Sequence, residues 1–155
     1  MRKVSTALLV FTLMTIILLS ASQTKATLGE SADSVASDQK SLSAVRRATT
    51  IRHGYTVQEI TSDPTTVREY VAPSGVVFGI AWNGLVYPDL TPLLGSYASE
   101  YQEALRRTPR NPGRRSLQIR TNRIVVEKWG HMRNLQGRAY LPGLVPLGVS
   151  INEIK

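Results

Sequence analysis

The chain contains no cysteine. No disulfide can staple it, no thiolate can ligate a metal, and no lipid can be attached through a cysteine. Its stability must come from a hydrophobic core. Histidine is almost as scarce: His53 and His131 are the only two, far apart in the chain. That is too thin a set for a zinc site, so neither a metal nor a cofactor is expected. A glycine-rich phosphate cradle is missing too, since Gly75, Gly79 and Gly84 read as turn, strand and turn residues. No G-x-S-x-G elbow, internal repeat or low-complexity tract is present. Beyond residue 26 no apolar run approaches the ~20 residues of a membrane span, so no transmembrane segment is expected there.

What is present begins with a targeting pattern. Arg2 and Lys3 precede an uncharged apolar run at 7–19, and polar residues 20–25 lead to Ala26, with small Thr24 two positions before it. This reads as a secretory signal peptide over 1–26, cut between Ala26 and Thr27. The competing reading is an uncleaved N-terminal membrane anchor over 4–22. The short apolar core and the small residues at the cut favour cleavage, and hence a periplasmic or secreted protein. The 129 residues that remain are the size of one ordinary domain. They carry 16 basic against 11 acidic residues, with thirteen arginines and three lysines.

Residues 27–50 are rich in Ser, Ala and Asp. Ser31 can cap a helix whose sparse apolar positions are Val35, Leu42 and Val45, which predicts a weakly helical or loose arm. A single domain is expected over 51–155. Residues 55–61 read as a strand and Ser62-Asp63-Pro64 as a turn. A return strand over 65–72 puts Val67, Glu69 and Val71 on one face and Arg68, Tyr70 and Ala72 on the other. Pro73-Ser74-Gly75 then closes a three-residue hairpin loop, with glycine supplying the positive φ. The next run, 76–82, is almost wholly apolar and is expected to be a central strand buried on both faces.

A helix over 90–105 follows, capped by Asp89 or Thr91 and carrying Pro92 in its first turn. Leu90, Leu93, Leu94, Tyr97, Ala98, Tyr101, Ala104 and Leu105 form its apolar stripe, and Glu103 can pair with Arg107. Strands at 116–120 and 124–129 make a second hairpin around Thr121-Asn122, and 135–141 adds another strand. The tail, with Pro142, Gly143, Pro146 and Gly148, is expected to run extended over the surface. The fold class is α+β: a mainly antiparallel sheet built from hairpins, with one principal amphipathic helix packed on it.

Several pieces of the chain together resemble a known family. They are Leu28-Gly29, Gly54-Tyr55, Arg68-Glu69-Tyr70-Val71 with Pro73 and Gly75, Val77-Phe78, Ala81-Trp82, Pro88-Asp89-Leu90, Leu94-Gly95 and Tyr97. Gly130-His131-Met132-Arg133 and Gly137-Arg138-Ala139-Tyr140-Leu141-Pro142 complete the set. In these the chain resembles the secreted bacterial proteins catalogued as domain of unknown function 2844. The resemblance implies a bacterial exported protein with no assigned activity or site residues.

Two clusters bear on function. Arg106, Arg107, Arg110, Arg114 and Arg115 fall within ten residues, with Arg120 and Arg123 following. Clustered guanidinium groups bind phosphate, sulfate or carboxylate through paired N–H donors, although a basic loop can equally be a solvated one. The export signal argues against nucleic acid and for an acidic envelope protein, an anionic glycan or a lipid headgroup. The second cluster is Glu127, His131 and Arg133, in which the carboxylate could orient the imidazole as a general base. A histidine at a strand-to-turn junction more often serves the nearby backbone. Asp89 is more economically a cap than an acid catalyst, and Trp82 and Trp129 pack in the core or at its rim more readily than against a sugar. The expected function is therefore a non-catalytic accessory or binding module of the cell envelope. The alternatives are an envelope hydrolase using Glu127 and His131, or an assembly subunit recruited by pairing of an edge strand at 55–61.

Overall fold

Between residues 45 and 84 the chain is rich in Val, Ile, Thr and Tyr, and it turns back on itself three times. A computed structural model describes residues 28–31, 45–109, 113 and 115–155. In it this stretch forms β1 (Val45–Arg52), β2 (Tyr55–Ser62), β3 (Thr65–Val71) and β4 (Val77–Gly84). A second meander supplies β5 (Ser116–Arg120), β6 (Val125–His131) and β7 (Asn134–Tyr140). The last strand returns beside β4, giving one antiparallel seven-stranded sheet of order β1-β2-β3-β4-β7-β6-β5. This is the α+β architecture expected. The assembly-edge assignment is corrected, because 55–61 lies inside the sheet between β1 and β3, and the edges are β1 and β5.

Turn chemistry accounts for the hairpins. At Pro73-Ser74-Gly75 the Ala72 N–H donates to the Val76 carbonyl at 2.9 Å and the Gly75 N–H to the Ala72 carbonyl at 2.9 Å. Gly75 sits at φ 81, where a side chain would be strained. Asp63-Pro64, a cis peptide, turns β2 into β3, and Met132-Arg133 turns β6 into β7 with Arg133 at φ 62. Thr121 closes β5 to β6, its N–H donating to the Ile124 carbonyl at 2.9 Å.

The chain leaves β4 at the sheet's centre and must reach β5 at its edge. It does so across one face through α1 (Leu90–Leu94), a 3₁₀ turn (Gly95–Tyr97) and α2 (Ala98–Arg107). Of the two candidate caps Asp89 is used, accepting from the Thr91 N–H at 2.9 Å, a contact worth about 1 kcal/mol. The expected single helix is broken at Gly95, which adopts φ 49. Leu90, Leu93, Leu94, Ala98 and Tyr101 are buried over Val67, Ile80, Trp82, Ile119 and Val126. Leu105, at the end of α2 with only the edge strand beside it, is exposed.

Strand β4 is buried on both faces from Val77 to Trp82, as its apolar run predicts. Its other face looks onto Tyr55, Tyr70, Phe78, Ala81, Val125 and Tyr140, with the Tyr55, Tyr70 and Phe78 ring centroids 5.8–6.2 Å apart. Among the described residues no second helix covers these rings. The C-terminal tail does. It winds through 3₁₀ turns at Pro142–Leu144 and Ile151–Glu153 and seats Ile154, fully buried, in the aromatic cluster. The tail is therefore not an extended surface strand: it is anchored by buried Ile154, with Val145 and Val149 half-buried beside it, because an aromatic sheet face left in water would forfeit the burial that stabilises the sheet.

Val45, expected as the last apolar position of a weak helix, instead opens β1. Residues 32–44, expected to hold the rest of that helix, and residues 1–26, expected to be a signal peptide, lie outside the described residues. The start of the arm is docked: Leu28 is buried and its N–H donates to the Leu93 carbonyl at 3.1 Å, while Gly29 and Val77 are bonded at 2.8 Å. Among the described residues no helix is long and apolar enough to cross a membrane.

Candidate interaction surface

The arginine cluster lies where α2 meets the edge strand β5. Arg106 and Arg107 end the helix, where cations suit the negative end of its dipole, and both are exposed. Arg107 pairs with Glu103, as their spacing predicts, while the Arg106 Nε–H donates to the Gln102 carbonyl at 3.4 Å. Arg115 is exposed just before β5, and Arg120 is exposed at its end. Arg110 and Arg114 lie outside the described residues. Arg123 is committed elsewhere: it pairs with Glu100 and lies 5.1 Å from the centre of the Tyr97 ring. The Thr121 hydroxyl, and then Arg123, hold the Glu100 carboxyl below its usual range. Between α2 and β5 runs an open groove of about 510 Å³, with Glu103, Arg107, Gln118 and Arg120 in its walls.

Glu127 and His131 are not brought together. Both lie on β6, but four residues of strand separate them by roughly 13 Å. Glu127 is engaged by Arg138 in a pair whose side chains are 18% and 17% exposed, and it accepts from the Gln118 amide at 2.6 Å. His131 is exposed at the strand's end and Arg133 is exposed in the following turn. The carboxylate–imidazole pair that a general base would need is absent from this arrangement. Arg138 uses its second edge on the tail, donating to the Ile151 carbonyl at 2.8 Å, and lies 5.8 Å from the Trp129 and Tyr140 ring centres. Glu127 is thus a structural anchor. Glu127→Ala is expected to cost about 3 kcal/mol, because Arg138 would keep a largely desolvated charge without its partner. His131→Ala should stay within about 0.5 kcal/mol. Urea unfolding of both variants checks this, and equal losses would refute the assignment.

The tail also closes a groove of about 550 Å³ over β1–β3, lined by Arg52, Tyr55, Glu59, Arg68, Tyr70 and Glu153 among others. Arg68 bonds Glu59 at 3.0 Å and the Asn83 amide oxygen at 3.1 Å. The Tyr70 hydroxyl donates to the Lys155 carbonyl at 2.8 Å and accepts from the Lys155 N–H at 3.0 Å. The Tyr55 hydroxyl donates to Glu153 at 2.8 Å, and burial, then this carboxylate, pushes the phenol up to about 12. The sequence placed Tyr70 on one face of its strand but gave no role to Glu153. The signal was there: Ser150 and Glu153 form an S-x-x-E capping box, and both of its hydrogen bonds are made.

The Ser150 N–H, followed by the Tyr55 hydroxyl, lowers the Glu153 carboxyl from its ordinary range. A carboxyl whose folded value is depressed contributes stability that is present above its unfolded value of about 4.3 and lost as pH falls through the folded one. Acidification below about pH 4 should therefore loosen the tail before the sheet. Amide exchange at Ile154 and Lys155 measured against β4 would show it, and equal protection at both pH values would contradict it.

Trp82 is core, 2% exposed, whereas Trp129 is half-buried and donates to the Gln136 amide oxygen at 3.2 Å. No group of three or more His, Cys, Asp or Glu side chains among the described residues is placed to hold a metal ion. A family model described as protein of unknown function (DUF2844) matches residues 24–154. Neither curated proteins nor solved structures yield a match to the chain.

Proposed function

From the premise that the chain belongs to the DUF2844 family of proteins of unknown function, we propose that it is an exported, non-catalytic binding module that contacts an anionic partner through the arginine edge. The division of labour among the arginines carries this reading. Arg68, Arg123 and Arg138 are taken up by Glu59, Glu100 and Glu127, whereas Arg115 and Arg120 stand exposed with no acidic partner among the described residues. An exposed guanidinium keeps its planar donor set for an incoming phosphate, sulfate or carboxylate. The pattern over residues 1–26 supports export, which favours an acidic envelope protein, an anionic glycan or a lipid headgroup as partner and disfavours nucleic acid.

The test is a crosslinking capture from envelope extract with two baits. One is unmodified and the other carries Gln at Arg106, Arg107, Arg115 and Arg120. Enrichment by the unmodified bait alone, declining as salt rises, is the expected result. Equal capture by both baits, or capture indifferent to salt, would overturn the reading.

A second reading, assembly by strand addition, is favoured by one observation. Strand β1 pairs only with β2 among the described residues and leaves Ile51 83% exposed. Such an edge can accept a strand from a neighbouring chain. A protein that remains monomeric at high concentration, with and without extract, would rule it out.

A further inference from the structure

One end of the sheet gathers exposed apolar side chains that no interior explains. Here β4 exits into Leu85, Val86 and Tyr87, the β6–β7 hairpin ends in Met132 and Arg133, and Arg115 leads into β5. The register places them side by side, since Gly84 pairs with Thr65 and Leu135, His131 with Asn134, and Ser116 with Trp129. Leu85 is 51%, Val86 49% and Met132 89% exposed. Four of the nine large exposed apolar residues among those described, Tyr87 included, therefore sit on this one end. They are not loosely held. The Leu85 N–H donates to the Pro64 carbonyl at 3.1 Å, and the Thr65 hydroxyl donates to the Val86 carbonyl at 2.9 Å. The backbone is pinned while the side chains face outward.

Cations border them on the β5–β7 side. Arg115 and Arg133 are exposed, and the Lys128 ammonium lies 5.2 Å from the centre of the Tyr87 ring. Among the described residues the acids at this end are Asp63, in the turn between β2 and β3, and Asp89, which is occupied in capping α1. The charge is therefore polarised, with positive groups next to the Met132 turn and the free acid toward the far strands.

We propose that this end of the sheet docks on an anionic lipid bilayer, with Leu85, Val86 and Met132 entering the boundary between headgroups and acyl chains and Arg115 and Arg133 meeting lipid phosphates. The inference deepens the anionic-partner reading by naming a membrane surface as the partner, and it rests on that reading for Arg115. Two physical points favour lipid over a folded protein. The apolar groups are carried on separate turns and do not line one concave groove, so a rigid partner would need matching pockets while a fluid interface adapts to each side chain. Apolar insertion and headgroup attraction also reinforce one another, because neither alone holds a protein firmly on a bilayer.

The experiment is vesicle co-sedimentation of residues 28–155, which contain all the described residues of both packed cores. Starting at Leu28 leaves the apolar stretch near the N-terminus unable to bind the vesicles itself. The vesicles are phosphatidylcholine alone, or phosphatidylcholine mixed with phosphatidylglycerol. One variant combines Leu85→Ser, Val86→Ser and Met132→Ser, and another combines Arg115→Gln and Arg133→Gln. All altered positions are exposed, and circular dichroism verifies the fold of each variant. The unmodified chain should sediment with the anionic vesicles only, and each variant should lose about tenfold or more in partitioning. If the serine variant binds as well as the unmodified chain while the glutamine variant does not, contact is electrostatic alone; the membrane inference falls and the anionic-partner reading stands. If no vesicle is bound but the capture above yields a soluble acidic protein, the outcome is the same. If vesicles and extract both yield nothing, both readings fall.

Discussion

Replacing Gly137 by alanine is expected to destabilise the fold by about 3 kcal/mol or more. Gly137 lies on β7 opposite Trp82 of β4 on one side and Lys128 of β6 on the other. A Cβ there would stand 2.3 Å from Cζ2 of the buried Trp82 indole and 2.6 Å from the Glu127 carbonyl oxygen. Neither neighbour can yield. The indole is packed at 2% exposure among the residues under the helix, and the carbonyl belongs to the adjacent strand. Overpacking usually costs 1–3 kcal/mol, when flexible side chains can shift, and a clash with backbone sits at or beyond the top of that range. Gly143→Ala is the control, since a Cβ there meets nothing within 4 Å, and it should change stability by no more than about 0.5 kcal/mol. Urea unfolding of the two variants decides the matter. A loss below about 1 kcal/mol for Gly137→Ala would mean that Trp82 does not lie over this glycine.

Ile154→Ala should cost about 3 kcal/mol, although it lies next to the last residue of the sequence given. Its side chain is completely buried with Tyr55, Tyr70, Phe78 and Tyr140, and its Cδ1 lies 3.0 Å from where a Cβ on Gly79 would be. Gly79 thus leaves the hollow on the central strand that Ile154 fills. Truncation removes the buried methyl groups and leaves a cavity walled by rings that the sheet holds in place, so the site cannot collapse to refill it. Ile151, three residues earlier and 36% exposed, should lose far less on the same change. Thermal unfolding followed by near-ultraviolet dichroism reports both stability and the tyrosine environment. Matching small losses for Ile151→Ala and Ile154→Ala would show that the tail does not pack as described.

The hairpins were legible from short-range chemistry. Pro73-Ser74-Gly75, Thr121-Asn122 and the Asp89 cap are each decided by dihedral preferences and hydrogen bonds within a few residues, and each appears where it was expected. The burial of β4 on both faces followed from an apolar run too long for a half-exposed strand. The break in the helix did not follow, because Gly95 falls within an unbroken apolar stripe and periodicity alone gives no reason for it to adopt φ 49. The arginine edge was partly legible: the cluster could be counted and the strand at 116–120 was expected, but that this strand is a sheet edge beside α2 and that Arg123 is committed to Glu100 could not be read. Glu127 was misread for a related reason. Nearness in sequence suggested His131 as its partner, whereas strand geometry extends the chain at ~3.3 Å per residue and Arg138 reaches it from β7.

By itself, the amino-acid order determined the class of fold, the turns, the central strand and the density of arginine near residues 106–115, since all of these depend on interactions within a few residues or on simple composition. Tertiary structure alone decided that β7 returns beside β4, that β2 is interior, that the tail covers the aromatic face, and that Leu85, Val86 and Met132 share one end of the sheet. Those outcomes depend on pairing between segments tens of residues apart. The chain selects such pairings by the total burial they achieve together, a sum over both faces of the sheet that no local pattern carries.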